Sequence, residues 1–396
     1  MSVNRFESIR QNLHFNDNSA MVPRGEPGHD RLHKLRPIVD ALQSRFQTIP
    51  YEQMLCVDEQ LCATKAHHYN KQYMPKKPHK WGYKLYVLSG VSGFAYNFEI
   101  YSGQENDPDC RLPGEPDLGS CANVVVRLVR NVPPNHHQLY FDNFYTTLPL
   151  MVHLEKRNIH ALGTARRDRL QNEKLPSMDE LKECPRGFSA ETCLKIDEVE
   201  VTSVLWKDNK CVTLVSTYAG IGKQTKVARY DKKKKVSQEV DCPHVVKLYN
   251  KHMGGVDKIN SIIGRYKIKM RTRKWYLRLF YHLIDVTMCN SWLLYVRACA
   301  QKGENYVMHL AEFREEVAIT LCKLGNSTTP KRGRPSNELE NVLRLKKRKP
   351  NVSYIPPKEV RKDEVGHWPV WSETRLRCKL PRCSSKTFIT CEKCKL

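Results

Sequence analysis

Between Glu52 and Thr164 the chain strings together short runs whose composition suits a pleated sheet and little else. MLCVDEQL (54–61), YKLYVLSG (83–90), FAYNFEIYSG (94–103) and HHQLYFDNFY (136–145) are rich in Val, Ile, Tyr and Phe, with Gly, Asp and Asn at their margins. Helical spacing follows at Leu148 to Lys156, and then a further strand-like run, IHALGT (159–164). Several strands followed by a helix and another strand predict an α/β sheet domain. Upstream, Leu35, Ile38, Val39, Leu42 and Phe46 recur three and four apart, the signature of an amphipathic helix.

Downstream the texture changes. From Arg166 to Lys235 the chain is polar and lysine-rich, with strand-like runs only at ETCLKIDEVEV, SVLWK and CVTLVSTYA, so it reads as an insertion. CPHVVKLYNKHMGGVDKINSIIGRY (242–266) turns helical again. WYLRLFYHLIDVTMCNSWLLYVRA (275–298) is apolar on nearly all sides, which predicts a buried helix. Residues 326–365 hold Pro, Ser, Asn and many Lys and Arg with few large apolar groups and read as a linker. The 396 residues exceed one ordinary core, so two or three units are expected.

Charge narrows the partners. The 66 Lys and Arg exceed the 42 Asp and Glu by 24, an excess that favours a polyanion, nucleic acid first. The opening MSVNRFESIR has no apolar core for a signal peptide, and HLIDVTMCNSWLLYV is too short and interrupted to span a bilayer. A soluble, intracellular protein with no membrane partner and no small-molecule substrate is expected. Most of the 15 cysteines, among them Cys56, Cys121, Cys211 and Cys289, are scattered through apolar runs as reduced buried thiols are.

Two strand-like runs finish on an acid, MLCVD at Asp58 and LYFD at Asp142. Ligands gather where strands of an open α/β sheet end, and a carboxylate there suits a hard divalent cation. Turn-forming aspartates are common in the same position, and spacing alone does not choose between the two. A third acid, Asp257, follows Gly254 and Gly255. On a helix starting there Asp257 and Asn260 share one face, and the bare glycine backbone lets that helix approach a sheet.

VDEQ (57–60), YFDNFYT (140–146) and GGVD (254–257), in this order and at these separations, resemble the signature of the piggyBac transposase family and of host proteins derived from it. The similarity runs from NRFESIRQNLHFND (4–17) to the terminal cysteines. It implies an RNase H-like catalytic core interrupted by a β-rich insertion, flanked by helical segments that dimerise and bind DNA, and followed by a short Cys-rich zinc module. The implied boundaries are 1–51 for a partial helical dimerisation and DNA-binding unit and 52–165 for the first part of the catalytic domain. The insertion spans 166–235, and 236–264 completes the catalytic domain. A second helical part covers 265–325, the basic linker 326–365 and the zinc module 366–396.

By motif, the family's catalytic aspartates fall on Asp58, Asp142 and Asp257, which would hold two Mg2+ ions for phosphoryl transfer. The implied steps are nicking, attack by the freed 3′-hydroxyl to give a hairpin, and insertion at TTAA. Active members carry an acid where this chain has Asn260, whose amide oxygen can still ligate Mg2+ with one negative charge fewer. The resemblance also implies residues before NRFESIR and more Cys and His after Cys394, so the chain reads as a truncated or alternative product. Two functions stay open: a DNA-cutting and DNA-joining homodimer, or a domesticated nuclear DNA-binding or chromatin protein with a vestigial site.

Basic segments suit either function. RYKIKMRTRKWYLR places Arg265, Lys267, Lys269, Arg271, Arg273 and Lys274 directly after the Asp257 helix, with Tyr266, Ile268 and Met270 interleaved as anchors. Such cations bind phosphate and read little sequence. KRGRP puts Arg332 and Arg334 around a glycine, as an AT-hook does in a minor groove, and with RLKKRK (344–349) it predicts nuclear residence. At the end, Cys378, Cys383, Cys391 and Cys394 are spaced C-x4-C-x7-C-x2-C. Four thiolates match one tetrahedral Zn2+, with His367 able to replace one of them.

Overall fold

The computed structural model describes residues 2–103, 108–170, 174–177, 179–231, 235–324, 356–378 and 384–394. Two compact units divide at residue 322/323. In the first, helices α1 (Val3–Gln11) and α2 (Arg36–Gln47) precede strands β1 (Met54–Ala63), β2 (Gln72–Tyr73), β3 (Trp81–Gly90) and β4 (Ala95–Ile100). Helix α3 (Ser120–Leu128), β5 (His137–Phe141), α4 (Leu148–Lys156) and β6 (Ile159–Ala165) follow. Next come α5 (Glu180–Glu183) and strands β7 (Ser189–Ile196), β8 (Val199–Lys207), β9 (Cys211–Ser216), β10 (Thr225–Asp231) and β11 (Val236–Cys242). The unit closes with α6 (His244–His252), α7 (Gly255–Arg265), α8 (Trp275–Lys302) and α9 (Leu310–Lys323).

Nine strands form one mixed sheet in the order β2-β3-β1-β5-β6-β9-β8-β7, with β4 also on β3. Its centre is parallel, β1 to β5 and β5 to β6, and the other pairings are antiparallel. Side chains alternate across each strand, so each face feeds its own core. Leu55, Val57, Leu139 and Phe141 pack with α3 and α4 on one face. Cys56, Cys62, Tyr140 and Leu85 pack with α2, α6, α7 and α8 on the other.

The α/β expectation holds, and α4 has the predicted bounds. The expected amphipathic helix is α2, which buries Val39 and Phe46. Three readings change. MLCVD does not end at Asp58, because β1 continues to Ala63 against β3; only its pairing with β5 stops, at Val57. ETCLKIDEVEV is a hairpin whose two turn residues, Asp197 and Glu198, have φ of 48° and 66°, the handedness a two-residue turn requires. Through this hairpin and β9, residues 189–216 extend the central sheet. Finally, α8 is buried through Tyr276–Asn290, but Trp292 to Val296 are only partly covered. Asn290 staples this helix to the sheet, its amide oxygen accepting from the Ala95 N–H (2.9 Å) and its amide nitrogen donating to the Ala95 carbonyl (2.8 Å).

The second unit holds α10 (Lys358–Arg361) and a hairpin of β12 (Pro369–Arg377) and β13 (Lys386–Cys391), with Trp371 stacked on Phe388 at 5.2 Å. No helix among the described residues is long and apolar enough to cross a membrane.

Candidate active site and nucleic-acid groove

The parallel pairing of β1 with β5 sets the first two acids. Val57 is opposite Phe141, so Asp58 and Asp142 are the next residues on neighbouring strands, about 5 Å apart in backbone spacing. Asp58 lies on the Cys56 and Gln60 face of β1, and its carboxylate accepts from the Glu59 N–H at 2.7 Å. Asp142 caps the turn after β5, accepting from the Phe144 N–H at 2.8 Å. Burial drives the Asp58 carboxyl up to about 7, opposed by the nearby Lys77 ammonium. Burial also raises Asp142, with Glu59 adding to the rise and Lys84 and Lys77 opposing it. Tyr249 of α6 stands against the same pair: burial first, then the two aspartates, push its hydroxyl up to about 12.

Helix α7, which carries the third acid, packs closely against β1 and β3. A methyl group at Gly255 would lie 2.3 Å from the Gly90 carbonyl and 2.7 Å from Cys56 Sγ and Ser89 Oγ, so only glycine permits this approach. Gly254 has nothing within 4 Å and needs no such exemption. One helical turn on, Gln60 Nε2 donates to Asn260 Oδ1 at 2.7 Å, while Gln60 Oε1 pairs with His282 Nε2 at 2.8 Å. Burial pushes His282 down to about 3, so the ring is neutral and its Nε2–H donates. Cys56 against Gly255 and Gln60 against Asn260 bracket Asp58 on β1 and Asp257 on α7. Asp257 itself is exposed, with no hydrogen bond or ion pair among the described residues.

The carboxyl oxygens of Asp58, Asp142 and Asp257 do not all come within 4.8 Å of one another; among the described residues only His367, Cys391 and Cys394 form a metal-ligating group that tight. The chemistry of the acids still suits a hard dication, because a buried carboxyl pair held up by desolvation is relieved by a nearby positive charge. The Lys77 ammonium, which donates to the Glu59 carbonyl at 3.0 Å, supplies part of that charge. Lys77, Glu59, Tyr249, Gln60 and His282 were not singled out from the sequence. VDEQ already contained Glu59 and Gln60, but nothing local distinguished Lys77 among the lysines of its loop.

Past Arg265, residues 266–274 form an irregular strap held by the Ile268 N–H, which donates to buried Asp285 of α8 at 3.0 Å. Ile268 and Met270 are partly covered as expected, whereas Tyr266 is exposed. The strap forms one wall of a groove of about 1110 Å3, with residues 63–66 and 78–81 as the other. Lys267, Lys269, Arg271 and Arg273 face Lys65 and Lys80, and among the described residues no acid lines the groove. Arg278 braces both walls, donating to the carbonyls of Ala63 (2.9 Å) and Met270 (3.5 Å). Arg265 ends α7 in solvent, and Lys274 donates to the Gln11 carbonyl at 3.1 Å. Arg332 and Arg334 lie outside the described residues.

In the second unit, His367 Nδ1 is 3.4 Å from both Cys391 Sγ and Cys394 Sγ, and the Cys394 N–H donates to Cys391 Sγ. The opposite ring nitrogen pairs with Asp363 at 2.9 Å, the carboxylate support that metal-bound histidines commonly have. His367 is thus grouped with Cys391 and Cys394. Cys378 is not part of it, and Cys383 lies outside the described residues.

A family model described as transposase IS4 matches residues 1–292. The chain is 32% identical to human piggyBac transposable element-derived protein 2 over 384 residues, which is 95% of this chain and 58% of that protein. It is 29% identical to human piggyBac transposable element-derived protein 3, covering all of this chain and 61% of the relative. The chain thus spans about three-fifths of the curated relatives it matches. A cryo-EM structure of piggyBac transposase in a synaptic complex with hairpin DNA superposes with a TM-score of 0.65 at 21% identity, covering 100% of this chain and 80% of that one, which shows a common fold. By these matches the chain belongs to the piggyBac transposase family.

Proposed function

We propose that this protein binds double-stranded DNA as a homodimer in the nucleus and carries a DDE/D-type site for Mg2+-dependent cutting and joining of DNA at TTAA. The observation that carries the enzymatic part is that Asp58 and Asp142 directly follow the last paired residues of two adjacent parallel strands, both held above the ordinary carboxylate range by burial. The parallel centre of the sheet also supports an RNase H-like core, with 166–235 an insertion, 1–51 and 265–325 helical flanks, 326–365 a linker and 366–396 a zinc module.

In this function Asp58 and Asp142 hold the cation site from the sheet. Asp257 completes it by turning its unpartnered side chain, and Lys77 withdraws from the charge it neutralises. Two bound Mg2+ ions would supply Lewis-acid stabilisation of the attacking and leaving oxygens. The groove cations hold phosphate along the bound DNA. His367, Cys391 and Cys394 would hold one Zn2+, with a fourth ligand from Cys378 or Cys383.

A second reading, a domesticated DNA-binding protein with a vestigial site, is favoured by Asn260. Its oxygen is already committed to Gln60, so serving as a ligand costs or shares that bond. An excision assay on an element with matching ends separates the two, comparing the native chain with Asp142→Asn and Asn260→Asp. Native activity abolished by Asp142→Asn supports the enzyme. If the native chain equals Asp142→Asn and Asn260→Asp gains nothing, the enzymatic reading fails.

A further inference from the structure

The groove wall formed by 63–66 and 78–81 carries more than charge. Trp81 opens β3 with half of its surface in solvent (50%), beside an equally exposed Tyr73 on β2 (50%). Its backbone is fixed: the carbonyl accepts from the Thr64 N–H at 3.1 Å, and the residue pairs with Tyr73 in the sheet. The two rings sit 4.8 Å apart, and the Lys71 ammonium lies 4.9 Å from the indole centroid. Across the groove, Lys269, Arg271 and Arg273 form no ion pair with any described residue, and neither do Lys65 and Lys80.

A duplex keeps its bases stacked inside, out of reach of an indole at a groove lip, so phosphate-binding cations alone would serve it. A rigid, half-exposed aromatic among unpaired cations instead suits a strand whose bases are free to stack.

We propose that this groove seats an unpaired stretch of DNA, with Trp81 stacking a base and the facing cations holding its phosphates. The proposal rests on the DNA-binding function above and names the form of DNA taken at that site. It predicts a preference that the cations alone would not create.

The test measures affinities of the full chain for a labelled oligo-dT strand and for a duplex of equal length, by fluorescence anisotropy, with Trp81→Ala and Trp81→Phe alongside. Loss of one stack should lower the strand-to-duplex affinity ratio roughly 10-fold in W81A. W81F, which keeps a stacking face, should retain most of the native ratio. An unchanged ratio in W81A, or an equal fall in W81F, overturns the stacking seat while leaving duplex binding in place. A native chain that binds neither ligand overturns the DNA-binding function itself.

Discussion

Replacing Gly255 with alanine tests whether helix α7 depends on its closeness to the sheet. The new Cβ would sit 2.3 Å from the Gly90 carbonyl oxygen, against an ordinary contact of 3.4 Å or more, so about 1.1 Å must be recovered. The obstructing atom is backbone in β3, which cannot swing aside, and Cys56 and Ser89 close the other directions at 2.7 Å. The helix must therefore lift, carrying Asp257 away from Asp58 and loosening the Asn260 to Gln60 bond. Overpacking of this kind costs about 1–3 kcal/mol. Gly254→Ala is the internal control, since it meets nothing within 4 Å and its φ of −80° suits alanine. At a helix N-cap that change costs roughly 0.5–1 kcal/mol at most. Urea denaturation monitored by far-UV circular dichroism should rank native and Gly254→Ala close together and Gly255→Ala clearly below. If the two variants unfold at the same midpoint, the close approach is not what fixes this helix.

Three further outcomes follow from other parts of the chain. Because burial lifts Asp58 from 3.8 to about 7, the native state holds a proton there that the unfolded chain has released. Its contribution is therefore full below pH 3.8 and lost as pH rises through about 7. Urea midpoints should fall across that window, less so in Asp58→Asn, and Mg2+ should raise the midpoint more at the alkaline end; a flat Asp58→Asn difference refutes this. Asn290→Leu should cost about 2–5 kcal/mol, since it strips partners from two buried backbone groups of Ala95, measured by the same denaturation. Metal analysis of the purified chain should find about one zinc, reduced by Cys391→Ser or His367→Ala; zinc content unaffected by either change dismisses the His367, Cys391 and Cys394 group.

What was legible from the sequence is what neighbouring residues decide among themselves. The spacing of Leu35, Val39 and Phe46 specifies a buried helical stripe, and the bounds of α4 follow from its own pattern between Thr147 and Arg157. The order of VDEQ, YFDNFYT and GGVD was enough to name the family. Periodicity also misled where the same pattern fits two folds: ETCLKIDEVEV has the composition of one strand, and only turn geometry at Asp197 and Glu198 splits it in two.

The tertiary structure decided the rest, because those contacts join residues that no local pattern relates. Gln60 meets Asn260 across 200 positions and His282 across 222, which turns the amide where an acid was expected into the half-buried end of a side-chain network. The closeness of Asp58 to Asp142 depends on the register of two strands some eighty residues apart, and the basic groove on Arg278 drawing together two segments with no shared motif. Such contacts form only once chain closure has been overcome by burial of both sheet faces, so their free energy belongs to the assembled fold and not to any stretch of sequence.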